Sequence, residues 1–464
     1  MDASLSPFLK YGFAIDVQCG QPVIMRDLIQ SIDRAEAGKR MHGLMAELYP
    51  ICRSLTGNGV RQTLQLLTRT IPLQISEVPS GTAVYDWTIP QEWNIVDAYI
   101  KNSRGERVVD FRRSNLHVMG YSVPVHETMS LTELLPRLYT LPDHPDWIPQ
   151  RASYYKSNWG FSLAHKDLVK LTEDQYEVCI DCALTDGSLT YGECVIPGEL
   201  TDEILFSTHV CHPSLCNDNL SGIVVAAYLA KAIADMPGRR YTYRIVFAPA
   251  QIGSLAWMAR NEEAVGRIRH GLVLVALGDA GCSTYKRSRH ETAEIDRAVT
   301  HVLEHSGQPF EIFKFVPYGY DERQYCSPGF NLPVGCFMRS TGERFPEYHT
   351  SADNLDCVKP ESLADSYVKC LEICAVLEGN RTYRNLLPKG EPQLGKRGLY
   401  GAMGGLAGGG RVKELPLLWV LNLSDGSHTL LDIADRSGLP FHQVRQAADA
   451  LLQHGLVEES AGDS

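Results

Sequence analysis

Apolar residues recur at three- and four-residue spacing through "DLIQSIDRAEAGKRMHGLMAELYPICRSL" and "GNGVRQTLQLLTRTI", which predicts helices across 27–72. The join "CRSLTGNGV" clusters Ser, Thr, Gly and Asn, a composition suited to a turn and a new helix start. Near Val78 the period shortens to two. "EVPSGTAVYDWTIPQEWNIVDAYIKN" and "YEVCIDCALTDGSLTYGECVIPG" read as strands separated by turns, so 78–196 is expected to be a β-rich module. From 203 onward the pattern alternates. "EILFSTHV", "YTYRIVFAPA" and "HGLVLVALG" read as buried strands, separated by helices at 220–235 and "GSLAWMARNEE". "AEIDRAVTHVLEHSG" is a further helix, followed by short strands around "EIFKFV" and "PVGCFMRS" and a closing helix at 360–379. This alternation predicts an α/β fold with a mostly parallel sheet covered by helices. Residues 27–77 and 197–385 would form that domain, with 78–196 inserted into it.

Residues 386–412 include "GKRGLYGAMGGLAGGG" and are expected to be a glycine-rich linker, not a phosphate-binding loop, because no strand leads into it. Residues 413–464 then read as a winged helix-turn-helix domain. Charge argues against nucleic acid there. Between 415 and 464 only Arg436 and Arg445 are basic, against Asp425, Asp432, Asp435, Asp449, Glu458, Glu459 and Asp463. A packing or dimerisation module is expected, which leaves homo-oligomerisation open.

The whole chain carries a formal net charge of -11, which disfavours nucleic acid and anionic membranes as partners. No run of 18 apolar residues occurs, so no membrane span is expected. The first residues do not read as an export signal, and the thirteen cysteines are scattered; reduced thiols and a cytoplasmic location are the expectation. Cys179 and Cys182 form a CxxC with no second pair nearby and read as strand residues.

"STHVCHPSLCNDNLSG", Ser207 to Gly222, falls where a buried strand ends and a helix begins, the place where open α/β sheets bind ligands. His209, His212 and Asp218 suit zinc or a similar ion; the plain alternative is a capped helix start beside ordinary loop histidines. "FPEYHTSADNLDCV" places His349 in a polar turn, and "PYGYDERQYCSPGFNLP" places Asp321, Glu322 and Arg323 in a loop.

These stretches, with "CRSLTGNGVRQTL", "WIPQRASYYKSNWGFSL" and "LLWVLNLSDGSHTLLDIA", resemble the co-catalytic zinc aminopeptidase superfamily. More closely, they resemble a bacterial branch of aminopeptidase-like proteins with an inserted β-domain and a winged-helix tail. The resemblance implies one or two zinc ions. Asp218 matches the bridging ligand, His349 the late histidine, and either His212 or His209 the first histidine, with His212 preferred for its "CHP" signature. Asp279 in "LGDAG" matches a third-strand carboxylate ligand, and no thiolate belongs to the set. The chain departs from the pattern after "YRIVF", where the superfamily's glutamate base is replaced by Pro249, Ala250 and Gln251. One metal is therefore expected, with Glu322 or Asp321 handling the proton. Arg323 and Tyr325 are candidate contacts for a substrate carboxylate or oxyanion, Arg323 having an ion pair with Asp321 or Glu322 as its alternative. Tyr348 and Gln251 complete the candidate substrate-binding set. The expected function is metal-dependent hydrolysis of an amide in a small aminoacyl, acylamino or short peptide-like compound, such as a biosynthetic intermediate. The alternative is a non-catalytic descendant that binds a metabolite or a protein partner.

Overall fold

The computed structural model describes residues 25–172, 175–399 and 410–460. Its centre is an eight-stranded sheet. In chain order the strands are β1 (Gln74–Pro79), β2 (Ser188–Ile196), β3 (Glu203–His209), β4 (Thr242–Ala248), β5 (Ile268–Leu274), β6 (Ser283–Lys286), β7 (Phe310–Phe313) and β8 (Val334–Met338). They lie in the order β1-β2-β4-β3-β5-β8-β6-β7. The four inner strands, β4-β3-β5-β8, are parallel, and antiparallel pairs occur toward both margins. Every residue of β3 is buried, because a central parallel strand has helices over both faces.

Helices α1 (Arg34–Leu48), α3 (Gly222–Ala234) and α6 (Pro360–Gly379) pack together in one apolar core with α5 (Glu294–Glu304). α3 is apolar almost all round, as a helix enclosed between sheet and neighbours must be. Gly222 opens it where a Cβ would stand 2.4 Å from the Leu274 carbonyl oxygen, so only glycine lets the helix start this close to the sheet. α2 (Asn58–Leu67) joins this core, whereas α4 (Ile252–Arg260) packs into a second apolar core on the other face of the sheet.

The sheets divide the chain at other places than the hydrophobic pattern indicated. Residues 78–79 and 188–196, assigned by pattern to the inserted module, belong to the main sheet through β1 and β2. The reason is that β2 is a hairpin continuation of the preceding strand in sequence, yet its two faces are covered like those of the central strands. The module's own antiparallel sheet joins 107–110, 92–101, 175–185 and 125–130 in that order. Cys179 and Cys182 lie on its 175–185 strand as free thiols; three apart on a strand, they point to opposite faces.

The C-terminal domain comprises α7 (Gly410–Leu423), α8 (Leu430–Ser437), α9 (Phe441–Gln453) and a three-stranded antiparallel sheet. The middle strand of that sheet, Thr382–Asn385, precedes the glycine-rich segment, so the domain begins about thirty residues earlier than the pattern suggested. Of the expected linker 386–412, residues 400–409 lie outside the described residues, and α7 already occupies its end. The domain docks on α5. Arg297 reaches Asp432 and Asp435 at 2.8 Å each, and His301 turns Nδ1 to Asp435 while its Nε2 accepts the Phe441 N–H at 3.0 Å. Among the described residues, no helix is long and apolar enough to cross a membrane.

Candidate metal centre

His209 ends β3, directly beside Ala248 at the end of β4. The chain then turns through 210–221 before α3, and this turn is held from several directions. Arg53 is 2% exposed. Its guanidinium donates to the His212 carbonyl at 2.8 Å, the Pro213 carbonyl at 3.1 Å and the Leu48 carbonyl at 2.7 Å. Asn115, from the inserted module, accepts the Ser214 N–H and donates to Ser214 Oγ. Asn219 bonds to Thr208, the His209 and Leu274 carbonyls and the Ala276 N–H, which pins the segment to β3 and β5. Asp353 accepts the backbone N–H groups of Asn217 at 2.5 Å and Asp218 at 2.9 Å. Burial pushes the Asp353 carboxyl up to about 8, against the pull of those N–H groups.

The result is that three imidazoles converge on one carboxylate. His209 Nε2 lies 2.9 Å from Asp218 Oδ1. His349 Nε2 lies 2.9 Å from Oδ2, and His212 Nε2 lies 3.6 Å from it. The His212 and His349 Nε2 atoms are 3.1 Å apart. Burial alone would keep Asp218 protonated; the surrounding His212, His209 and His349 outweigh it and hold the carboxyl well below its usual range. Burial brings His212 down to about 3, so its imidazole is neutral at pH 7 and has a free lone pair. Asp218 Oδ2 is buried and receives no hydrogen bond. A buried carboxylate oxygen faced by two imidazole nitrogens, that of His212 neutral, is the donor chemistry zinc takes. His209, His212 and Asp218 bring their donor atoms within 4.8 Å of one another. Cys211 and Cys216 stand nearby, but burial pushes the Cys211 thiol up to about 12 and the Cys216 thiol higher, so neither supplies a thiolate.

Asp321 is the acidic group beside this cluster. Its Oδ1 accepts the Gln251 N–H at 2.6 Å, and its buried Oδ2 has no hydrogen-bond partner. Burial raises its carboxyl to about 6, opposed by the charge interaction with His209 and by the Gln251 N–H. The carboxylate therefore meets the backbone at Ala250–Gln251, where the sequence lacks a glutamate. Gln251 takes part through its backbone, with φ of 62°, at the start of α4. Two tyrosines wall the cluster: Tyr320 stacks on His209 with centroids 5.8 Å apart, and Tyr348 on His349 at 3.9 Å. Burial raises both phenols above their ordinary value, so both are neutral O–H donors.

Several expected residues are placed elsewhere. Asp279 is saturated by the Gly281 and Ser340 N–H groups, Ser340 Oγ and Asn217 Nδ2, and so supports the turn from behind without a free oxygen for a metal. Glu322 is fully buried in an ion pair with Lys286, pointing away from the proton-transfer role. Tyr325 is a core residue whose hydroxyl bonds Ser207 at 2.9 Å, out of reach of substrate. Arg323 pairs with neither Asp321 nor Glu322 among the described residues, and no contact ties it to the cluster. Sequence reasoning missed Arg53, Asn115, Tyr320 and Asp353. All but Tyr320 act on backbone groups, which no residue spacing reports; Tyr320's place directly before Asp321 was the available signal.

Residues 42–380 match a family model described as a domain of unknown function (DUF4910), and residues 381–459 match a winged helix-turn-helix model. A Clostridium acetobutylicum protein named "Putative polysaccharide biosynthesis protein with aminopeptidase-like domain" is 53% identical over 91% of this chain and 97% of its own length. A crystal structure from the same organism, described as a putative peptidase, has a TM-score of 0.89 at 51% identity, covering 94% of this chain and 99% of that one. A peptidase M28 precursor from Shewanella amazonensis (TM-score 0.54, 13% identity, 76% and 96% covered) shares the fold. So does a zinc aminopeptidase from Bacillus subtilis (TM-score 0.52, 12% identity, 72% and 93% covered). The helix-covered α/β sheet and the C-terminal winged helix thus have the same reading from sequence, structure and comparison: this chain is a member of the DUF4910 family, built on the zinc-aminopeptidase fold and extended by a winged helix-turn-helix domain.

Proposed function

We propose that the protein is a single-zinc hydrolase of an amide bond in a small aminoacyl or acylamino compound, such as a biosynthetic intermediate. The observation that carries this reading is the convergence of His212 and His349 on the unsatisfied Oδ2 of Asp218. His212, Asp218 and His349 would hold the ion, with His209 fixing Asp218 through Oδ1. Zinc bound there supplies a Lewis acid for the scissile carbonyl and lowers the pKa of water toward neutrality. Asp321 accepts the proton at its free Oδ2, since a carboxyl near 6 is mostly ionised at pH 7 yet basic enough to be protonated in passing. Tyr320 and Tyr348 exclude water and offer neutral O–H groups. The names of the relatives, a peptidase and an aminopeptidase-like biosynthetic protein, agree with this class.

The test is zinc content and turnover of a panel of N-acyl amino acids and aminoacyl amides. One tightly held zinc per chain, lost in His349→Ala, and hydrolysis lost in Asp321→Asn support the proposal. A protein that retains no zinc after reconstitution overturns it. The missing glutamate at Ala250–Gln251 favours a second reading, a binding protein on the same site. Zinc bound stoichiometrically with no turnover of any panel member would select it.

A further inference from the structure

The stretch "QRASYYKSNWG" of the inserted module has no role in the metal cluster, yet it runs beside it. The Gln150 N–H donates to the His349 carbonyl at 2.7 Å, and Pro149 forms a bridge with Thr350. Arg151 follows directly. It lines a cavity of about 400 Å³ with Tyr139, Tyr154, Tyr155, Lys156 and Asn158. Arg151 and Tyr154 also line a crevice with Arg53 and Pro213, which places this side of the cavity next to the 210–221 turn.

The charge of this cavity is one-sided. None of its lining residues carries a carboxylate, in a chain whose formal net charge is -11. Among the described residues neither Arg151 nor Lys156 forms an ion pair. Arg151 lies over the Tyr139 ring at 5.1 Å, which orients the guanidinium without neutralising it. Arg137 adds a third cation nearby, bonded to Asn158 Oδ1 at 2.5 Å and lying over Trp159 at 5.0 Å. Tyr155 is 56% exposed, with Trp87 at 5.8 Å across its edge. Cations without carboxylate partners, set among aromatic rings beside the His349 turn, are what recognition of an anionic group requires.

We infer that this cavity is a subsite for an anionic group of the substrate, a carboxylate or a phosphate, with Arg151 and Lys156 as its binding residues. The inference rests on the hydrolase reading for the word substrate, but not for the binding itself. Resting on one class of ligand chemistry, it is tested with two probes, inorganic phosphate and N-acetylglycine, titrated by calorimetry into the full-length, chelator-treated protein at low salt. Saturable binding of at least one probe is expected, and which binds tighter identifies the group. Arg151→Gln combined with Lys156→Gln should weaken it by at least about tenfold, as loss of charge-assisted hydrogen bonds does. Arg151→Lys should retain most of it, and His349→Ala all of it. No saturable binding of either probe to the native protein, or equal binding by the double variant, overturns the inference. Binding that follows these residues in a protein that hydrolyses no amide leaves the subsite standing and removes the hydrolase reading.

Discussion

Replacing Arg53 by Met keeps the length of the side chain and removes its charge and donors. Three carbonyl oxygens, of Leu48, His212 and Pro213, then lose their partner in a buried setting. Hydrogen bonds from a charged donor are worth about 1.5–3 kcal/mol each, so the gross loss is about 5–9 kcal/mol. Part of this returns, because burying the guanidinium is itself unfavourable. Burial lowers its pKa from 12.5 to about 10, which corresponds to roughly 3 kcal/mol. The expected net destabilisation is about 2–6 kcal/mol, read by chemical denaturation. A second readout separates positioning from bulk stability. His212 loses the clamp on its own carbonyl, and zinc affinity, measured by chelator competition below the unfolding transition, should fall about 10–100-fold. Arg53→Lys should recover little, since one ammonium cannot span three carbonyls. A variant within 1 kcal/mol of the native protein and with unchanged zinc affinity would refute the argument.

Asp321→Asn should lower turnover by about 10²–10⁴, the range for loss of a positioned base, while zinc content stays constant; an unchanged rate would remove Asp321 from the mechanism. Glu322→Gln should act through stability, costing about 3–5 kcal/mol because Lys286 stays buried without its counter-ion, and a normal melting temperature would contradict that. In the metal-free protein His212 is neutral when folded and takes a proton when unfolded. Its folded pKa, about 3, is below the ordinary 6.5, so its contribution to stability is present above pH 6.5 and is lost as pH falls toward 3. His212→Asn should flatten the stability profile in that window, and a profile unchanged by the substitution would falsify the assignment. A duplex DNA gel-shift at low salt should show no retardation, because the C-terminal domain is acidic and the N-terminus of α9 is engaged by His301.

Much of the α/β layer was legible because its signal is local: buried strands and amphipathic helices alternate at distinct periods. His212, Asp218 and His349 were legible by residue type and place. Long-range placement was not. The wing strand 382–385 is four residues with a mixed burial pattern and no periodic signature, and only its partners at 425–429 and 457–459 make it a strand. The same limit explains the neighbouring acids Asp321 and Glu322. Adjacent in sequence, they face opposite partners, Gln251 on one side and Lys286 on the other, a choice set by tertiary packing. Asp279 has the right residue type for a ligand, but four donors consume its oxygens before any metal could.

The wing strand also determines how this polypeptide can be taken apart. Thr382–Asn385 continues straight from α6 and sits between the two strands of the terminal domain. Cleavage between 388 and 399 therefore separates the backbone without separating the sheet, and the two pieces should co-migrate on a sizing column until denatured. A tail expressed from residue 388 onward would lack its central strand, so the terminal domain is not an exchangeable cassette but a fold completed by the strand that follows α6.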